Sequence, residues 1–181
     1  MAKDKPIKAT LIKNKVVVKG KNLEKAQQLY DKSRLGEVHG TKEVRVEYPL
    51  VEALYLLETE KMMISDDSKK LKFEKFADKA AKLENNFWTR YKVFRDLKTR
   101  GYVLKTALKF GADFRVYERG TRPGKAHAKW ILYCVDENDK FSWREFAAKN
   151  RVAHSTRKKL LIGCVDEEGD VTYWQVGWKK P

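Results

Sequence analysis

The stretch Gly111-Ala-Asp-Phe-Arg-Val-Tyr-Glu-Arg-Gly120 reads as a strand, Asp113 to Tyr117, that runs directly into a loop of turn formers and positive charge. Thr121, Arg122, Pro123 and Gly124 continue the loop, so Tyr117 stands at the junction of strand and exposed turn. A tyrosine in that place either caps the sheet edge as an amphipathic residue or presents its hydroxyl to a ligand. The next strand, Ala128 to Val135, is opened by His127, which Lys125 and Lys129 flank, so its side chain is not committed to a core. Further on, Lys158 ends the basic run that begins Arg151-Val-Ala-His-Ser-Thr-Arg, next to Lys159. His154, inside that run, reads as a residue that packs or hydrogen-bonds locally.

Outward from this stretch, a helix carries Phe87, Trp88, Tyr91, Phe94 and Leu97 and stops at Gly101, which takes a left-handed C-cap readily. Tyr102-Val103-Leu104 is a strand. Phe141 to Lys149 is a helix with Ser142 as N-cap, and Leu160–Val165 and Val171–Trp178 close the chain as paired strands across Asp166-Glu-Glu-Gly-Asp170. Upstream, residues 7 to 19 form two short strands turning at Asn14-Lys15. A helix N-capped by Asn22 follows, then a brief strand around Val44 and Val46. Pro49 at the N1 position starts the helix Leu50–Leu57, residues 65–70 form a polar loop, and a helix runs from Phe73 to Leu83. Asn85-Asn86 interrupts the pattern. The fold class is α+β, with one domain over 1–84 and a second, sheet-centred one over 85–181.

Composition bounds what such a chain does. With 181 residues, 42% of them hydrophobic, it has enough apolar material for a real core. Its formal charge is +15, from 40 Lys and Arg against 25 Asp and Glu, a field that attracts polyanions, nucleic acid before anionic membrane. Between Arg90 and Lys109 seven basic residues face a single acid, Asp96. A lysine-rich thermophilic or ribosome-associated surface is the bland counterpart of that reading. The longest apolar run, Trp130 to Val135, is too short for a membrane span, and the first residues lack a signal-peptide core, so a cytoplasmic protein is expected, with no membrane partner. No phosphate-cradling glycine motif is present. Cys134 and Cys164 each lie in an apolar run and are expected to be buried thiols, with no metal site.

A tyrosine, a histidine and a lysine without a metal or cofactor suit one chemistry in particular. In RNA the 2′-hydroxyl attacks the adjacent phosphodiester, which takes a base for that oxygen, an acid for the departing 5′-oxygen and positive charge for the phosphorane. Lysine supplies charge, and an imidazole, titrating ordinarily near about 6.5, supplies a proton. A phenol, with a pKa near about 10, depends on neighbouring cations to act as the base. A restriction-type metal site is the rival: Asp113 offers a first acid, but the following strand carries no acid-x-Lys triplet.

Arg100-Gly-Tyr-Val-Leu-Lys-Thr106, Lys109-Phe-Gly-Ala-Asp-Phe-Arg-Val-Tyr-Glu-Arg-Gly120, the His127 strand, Arg151-Val-Ala-His-Ser-Thr-Arg-Lys-Lys-Leu160 and Val165-Asp-Glu-Glu-Gly-Asp-Val-Thr-Tyr173 together resemble the archaeal tRNA-splicing endonucleases of the tRNA-intron endonuclease family. The first half is similar to their small amino-terminal domain, chiefly through Pro49-Leu-Val-Glu-Ala-Leu-Tyr-Leu56. The resemblance implies a small N-terminal α/β domain followed by a C-terminal nuclease domain with a central mixed β-sheet flanked by helices. It implies Tyr117 as base, His127 as acid and Lys158, rather than its neighbour Lys159, as the stabilising cation. It implies a precursor tRNA substrate cut at a bulge-helix-bulge to leave a 2′,3′-cyclic phosphate and a 5′-hydroxyl. Arg151 is implied as an RNA clamp acting across subunits, Trp174 on the last strand is a second RNA-binding candidate whose other reading is core packing, and the acidic loop Asp166, Glu167, Glu168 and Asp170 is implied as a surface that docks on another copy. Homotetramer is the implied assembly, with a heterotetramer or an inert, RNA-binding subunit as alternatives.

Overall fold

A computed structural model describes residues 5–121, 123–124 and 126–179. The chain divides into two compact units, one ending at Phe87 and the other beginning at Trp88. Helices and mixed sheets occur in both, which makes the chain α+β with an N-terminal and a C-terminal domain. Arg122 and Lys125 of the basic loop lie outside the described residues.

The N-terminal unit is a six-stranded sheet in the order β3-β4-β2-β1-β5-β6 with three helices. Its strands are β1 (Ile7–Ile12), β2 (Lys15–Val18), β3 (Glu37–His39), β4 (Arg45–Pro49), β5 (Met62–Asp66) and β6 (Lys69–Lys70), and its helices α1 (Leu23–Ser33), α2 (Leu50–Glu58) and α3 (Phe73–Leu83). Because α2 is apolar nearly all round, Leu50, Val51, Ala53, Leu54 and Leu56 are all buried, as expected of a helix with no solvent face. Glu52, buried with them, accepts the Gly36 backbone N–H.

Several expectations are corrected here. The first hairpin turns one residue earlier, at Lys13-Asn14, with Lys15 already in β2 and Lys13 taking the left-handed conformation. Asn22 lies in a 3-10 turn and makes no side-chain cap; its Oδ1 accepts from the Lys8 N–H instead. Pro49 precedes the first helical residue and ends β4, where it pairs with Lys15. Residues 65–70 form a hairpin, not a loop: Asp67 and Ser68 both have positive φ, the geometry of a two-residue primed turn. β5 escaped the sequence reading because its parallel partner β1 lies more than fifty residues away.

The C-terminal unit comprises α4 (Phe87–Thr99, its first residue from the other unit), β7 (Val103–Ala107), β8 (Ala112–Tyr117), β9 (Trp130–Asp136), α5 (Trp143–Ser155), β10 (Lys159–Val165) and β11 (Val171–Val176). The sheet order is β11-β10-β9-β8-β7; β9 and β10 are parallel, joined through α5, and the other pairs are antiparallel. Ile131 to Val135 are buried on both faces, as befits a central strand. On one face Ile131, Tyr133, Leu160 and Ile162 pack with Ala153 of α5. On the other, a Cβ at Gly163 would meet Val93 at 3.0 Å, so α4 comes down on β10 where no side chain stands. Helix α5 starts after Ser142 with a full capping box, Ser142 Oγ accepting the Glu145 N–H and the Glu145 carboxylate accepting the Ser142 N–H. It runs to Ser155, six residues past the expected end, and takes in Arg151 and His154.

Candidate active site

Four strand ends meet along one rim of the C-terminal sheet. Since β8 runs against β9, β10 runs with β9, and β11 runs against β10, the C-terminal ends of β8 and β11 lie beside the N-terminal ends of β9 and β10. Register aligns them in a row: Val116 pairs with Trp130, Trp130 with Lys159, and Leu160 with Val176. Backbone bonds carry the row outward, from Lys129 N–H to Val116 O at 2.9 Å and from Lys159 N–H to Lys129 O at 3.0 Å. Tyr117, His127 and Lys158 each stand just beyond this row. Topology therefore brings together residues that the sequence separates by up to 41 positions.

The three line one cleft of about 290 Å³, together with Phe110 and Arg115. Tyr117 is 5% exposed, held by the end of β8, while His127 is exposed. His127 does not open β9, as expected from sequence, but lies three residues before it, outside the sheet ladder and so less restrained. Lys158 follows the turn that ends α5: its N–H reaches Ala153 O at 2.9 Å, and its Nζ donates to Thr156 O at 2.8 Å. Burial, and then the like charge of Arg115, push the Lys158 ammonium below the ordinary lysine value. The described lining holds cations and no carboxylate, so it suits an anion with a developing charge.

Phe110 and Arg115 were missed. Arg115 stands two residues before Tyr117 on β8, and strand alternation turns both side chains to one face, a signal already present in Gly111–Gly120. Phe110, in the turn before β8, places its ring 5.9 Å from Lys158 Nζ. Asp113, the first acid of the rival metal site, pairs with Arg90 at 3.0 Å and accepts the Cys134 N–H at 2.8 Å, a structural engagement. Arg90 also stands over the Phe114 ring, and Lys105 is buried, so part of the basic excess at residues 90–109 is interior and not a solvated face. Of the two thiols, Cys134 is buried but Cys164 only partly so, at the margin of the cluster that packs with Ala153 of α5.

The sequence model described as the tRNA intron endonuclease catalytic C-terminal domain matches residues 87–173, and that of the N-terminal domain of tRNA intron endonuclease matches 7–77. The chain is 48% identical over 141 residues to the tRNA-splicing endonuclease of Nanoarchaeum equitans, covering 75% of this chain and 90% of that one. It is 41% identical over 158 residues to the enzyme of that name from Thermococcus onnurineus and 38% over 156 residues to that from Methanothermobacter thermautotrophicus, in each case covering 89% of the relative and 87% and 86% of this chain.

The chain belongs to the tRNA intron endonuclease family.

The cleft thus lies in the family's catalytic domain, and the protein is an endonuclease. The other residues implied by the resemblance fall elsewhere on the same unit. Arg151 is exposed on α5, and Trp174, 52% exposed, stands on the edge strand β11; neither lines the cleft. In the acidic loop Asp166 Oδ1 accepts the Asp170 N–H at 2.8 Å and shapes the turn, whereas Glu167, Glu168 and Asp170 are exposed. Among the described residues no helix is long and apolar enough to cross a membrane, and no three His, Cys, Asp or Glu side chains are grouped as a metal site.

Proposed function

We propose that this chain excises introns from precursor tRNA by metal-independent cleavage at bulge-helix-bulge motifs, leaving 2′,3′-cyclic phosphate and 5′-hydroxyl ends. The observation that carries the reading is the convergence of Tyr117, His127 and Lys158 on one cleft lined by cations. Tyr117 takes the proton from the 2′-hydroxyl, and the 2′-oxygen bonds to phosphorus. The phosphorus–O5′ bond breaks as His127 delivers a proton to the departing oxygen. Tyr117 ends with one proton more and His127 with one fewer, so solvent restores both. Lys158 and Arg115 face the non-bridging oxygens, where negative charge grows at the phosphorane. Unstacked bulge bases are held by guanidinium and aromatic planes, the role assigned to Arg151 and Trp174. A homotetramer joined through the acidic loops is the assembly that goes with this reading.

The test is cleavage of a bulge-helix-bulge RNA in EDTA. Activity should persist there, and Tyr117→Phe and His127→Ala should each lower the single-turnover rate by about 10²–10⁴ with RNA affinity kept. A requirement for added magnesium would refute the metal-independent mechanism. Cleavage that appears only with a second protein chain would refute the homotetramer, in favour of a heteromeric assembly or of an inert subunit, and Tyr117→Phe and His127→Ala in that mixture would tell the two apart.

A further inference from the structure

A second cleft, of about 630 Å³, opens on the other side of Lys158. Asn150, His154 and Arg157 from the end of α5, Lys159 at the start of β10, and Trp178 just beyond β11 line it. The strand-end row explains why they meet: β11 finishes at the same rim as β8, so the residue two past Val176 lands beside the turn that carries Lys158. One lysine side chain therefore borders both clefts.

Three features of this cleft point the same way. His154 and Trp178 form a ring pair with centroids 5.0 Å apart and planes tilted by 33°, and Trp178 remains 53% exposed, so an aromatic face stays open beside the cleft. The described lining carries Arg157, Lys158 and Lys159 and no carboxylate. Arg157 holds φ at +56° at the end of α5, where its N–H bonds His154 O at 2.9 Å. Helices usually place glycine at such a left-handed cap, because a side chain there is strained. An arginine at that point is a local cost to stability and sets a guanidinium at the mouth of the cleft. Open ring, cations and no acid are what a single-stranded nucleotide needs, its base stacked and its phosphate paired.

We propose that this second cleft is an RNA subsite, in which the nucleotide next to the scissile phosphate stacks its base on the His154–Trp178 pair and lays its phosphate against Arg157 and Lys159. The inference rests on the proposed cleavage reaction, since that reaction puts the scissile phosphate at Lys158. The subsite then fixes the direction in which the strand leaves the catalytic cleft, along the rim from β9 toward β11.

The probe is a bulge-helix-bulge RNA with 2′-deoxy sugars at the cleavage positions, which binds without being cut. Trp178→Ala should raise its Kd roughly 5- to 150-fold, the span of a lost base stack, while Trp178→Phe stays close to the parent. Arg157→Gly should weaken binding and lower the dependence of log K on log salt by about 1, with a Tm equal to or above the parent's because the left-handed strain is gone. Removing the base next to the cut, as an abasic nucleotide, should erase the difference between Trp178→Ala and parent. Unchanged Kd in folded Trp178→Ala and in Arg157→Gly overturns the subsite, as does a fall in native mass without a change in Kd, which assigns the cleft to a contact between copies. If Trp178→Ala lowers the Tm, Arg157→Gly decides alone. Failure of the parent to cleave the all-ribose RNA, with binding of the probe still lost in both variants, refutes the reaction and leaves the subsite standing.

Discussion

Lys158 borders both clefts of the rim and carries an ammonium held below the ordinary lysine value. Its environment does two opposed things. Burial and the Arg115 charge lower its proton affinity, while the Thr156 carbonyl, accepting from Nζ at 2.8 Å, orients the ammonium. Its charge is thus lost at lower pH than that of a lysine in water. Competitive acetylation should therefore find the Lys158 amine reactive at lower pH than the exposed lysines, and Arg115→Gln should move its titration upward by removing a like charge. A titration unchanged by Arg115→Gln would leave burial as the sole cause. Lys159 is one residue away but points its backbone into the ladder with Trp130 and is exposed. Spacing alone did not separate the two lysines; only Lys158 lines the cleft with Tyr117 and His127.

At the scale of elements, the two units are held by different local devices. In the N-terminal sheet, Glu47 on β4 ties three strands: its carboxylate accepts from Lys15 Nζ of β2 and Arg45 Nε of β4, each at 2.7 Å, with His39 of β3 3.8 Å away. The Lys15 and Arg45 hydrogen bonds, strongest first, hold its pKa down at about 2. A carboxylate with a depressed folded value stabilises above its unfolded value, and that stability is lost as pH falls through the folded one. Acid titration of the N-terminal sheet should thus show progressive loss of stability between about pH 4.5 and about pH 2. Glu47→Gln should flatten that interval, measured by circular dichroism melts across the range, and a parent curve that is already flat there would contradict the assignment. In the C-terminal unit the corresponding device is α5. Its N-cap was legible as Ser142, to which the structure adds Glu145 as the second half of a capping box, whereas its end falls in a run of basic residues with no glycine to mark it. That missing stop signal is Arg157, which occupies the left-handed position itself.

For the molecule as a whole, charge and assembly are linked. A net charge of +15 opposes self-association unless opposite charge is set at the contact, and the acidic turn between β10 and β11 provides such a patch. Within it Asp166 shapes the turn, and the exposed side chains are those of Glu167, Glu168 and Asp170. Native mass spectrometry should give a particle of four copies at low salt, and Glu167→Lys combined with Glu168→Lys should break it into smaller species, with the parent weakening as salt screens the contact. A monomer at every ionic strength would refute the tetramer without touching the cleavage chemistry of a single cleft.

The amino-acid sequence by itself determined what local physics encodes: most of the helices and strands though not β5 and β6, the capped start of α5, the field of an excess of cations, and the strand-end tyrosine in Gly111–Gly120. Its motifs also carried the likeness to the tRNA intron endonucleases. It did not reveal the parallel pairing of β1 with β5, nor the row Val116–Trp130–Lys159, because both join segments whose contact depends on long-range register and not on neighbouring residues. For the same reason His154 read as a local packing residue until the end of β11 brought Trp178 beside it. Tertiary structure decided that four strand ends share one rim, and with it that Tyr117, His127 and Lys158 line a single cleft with Arg115, since only sheet order and strand direction bring those residues to the same edge.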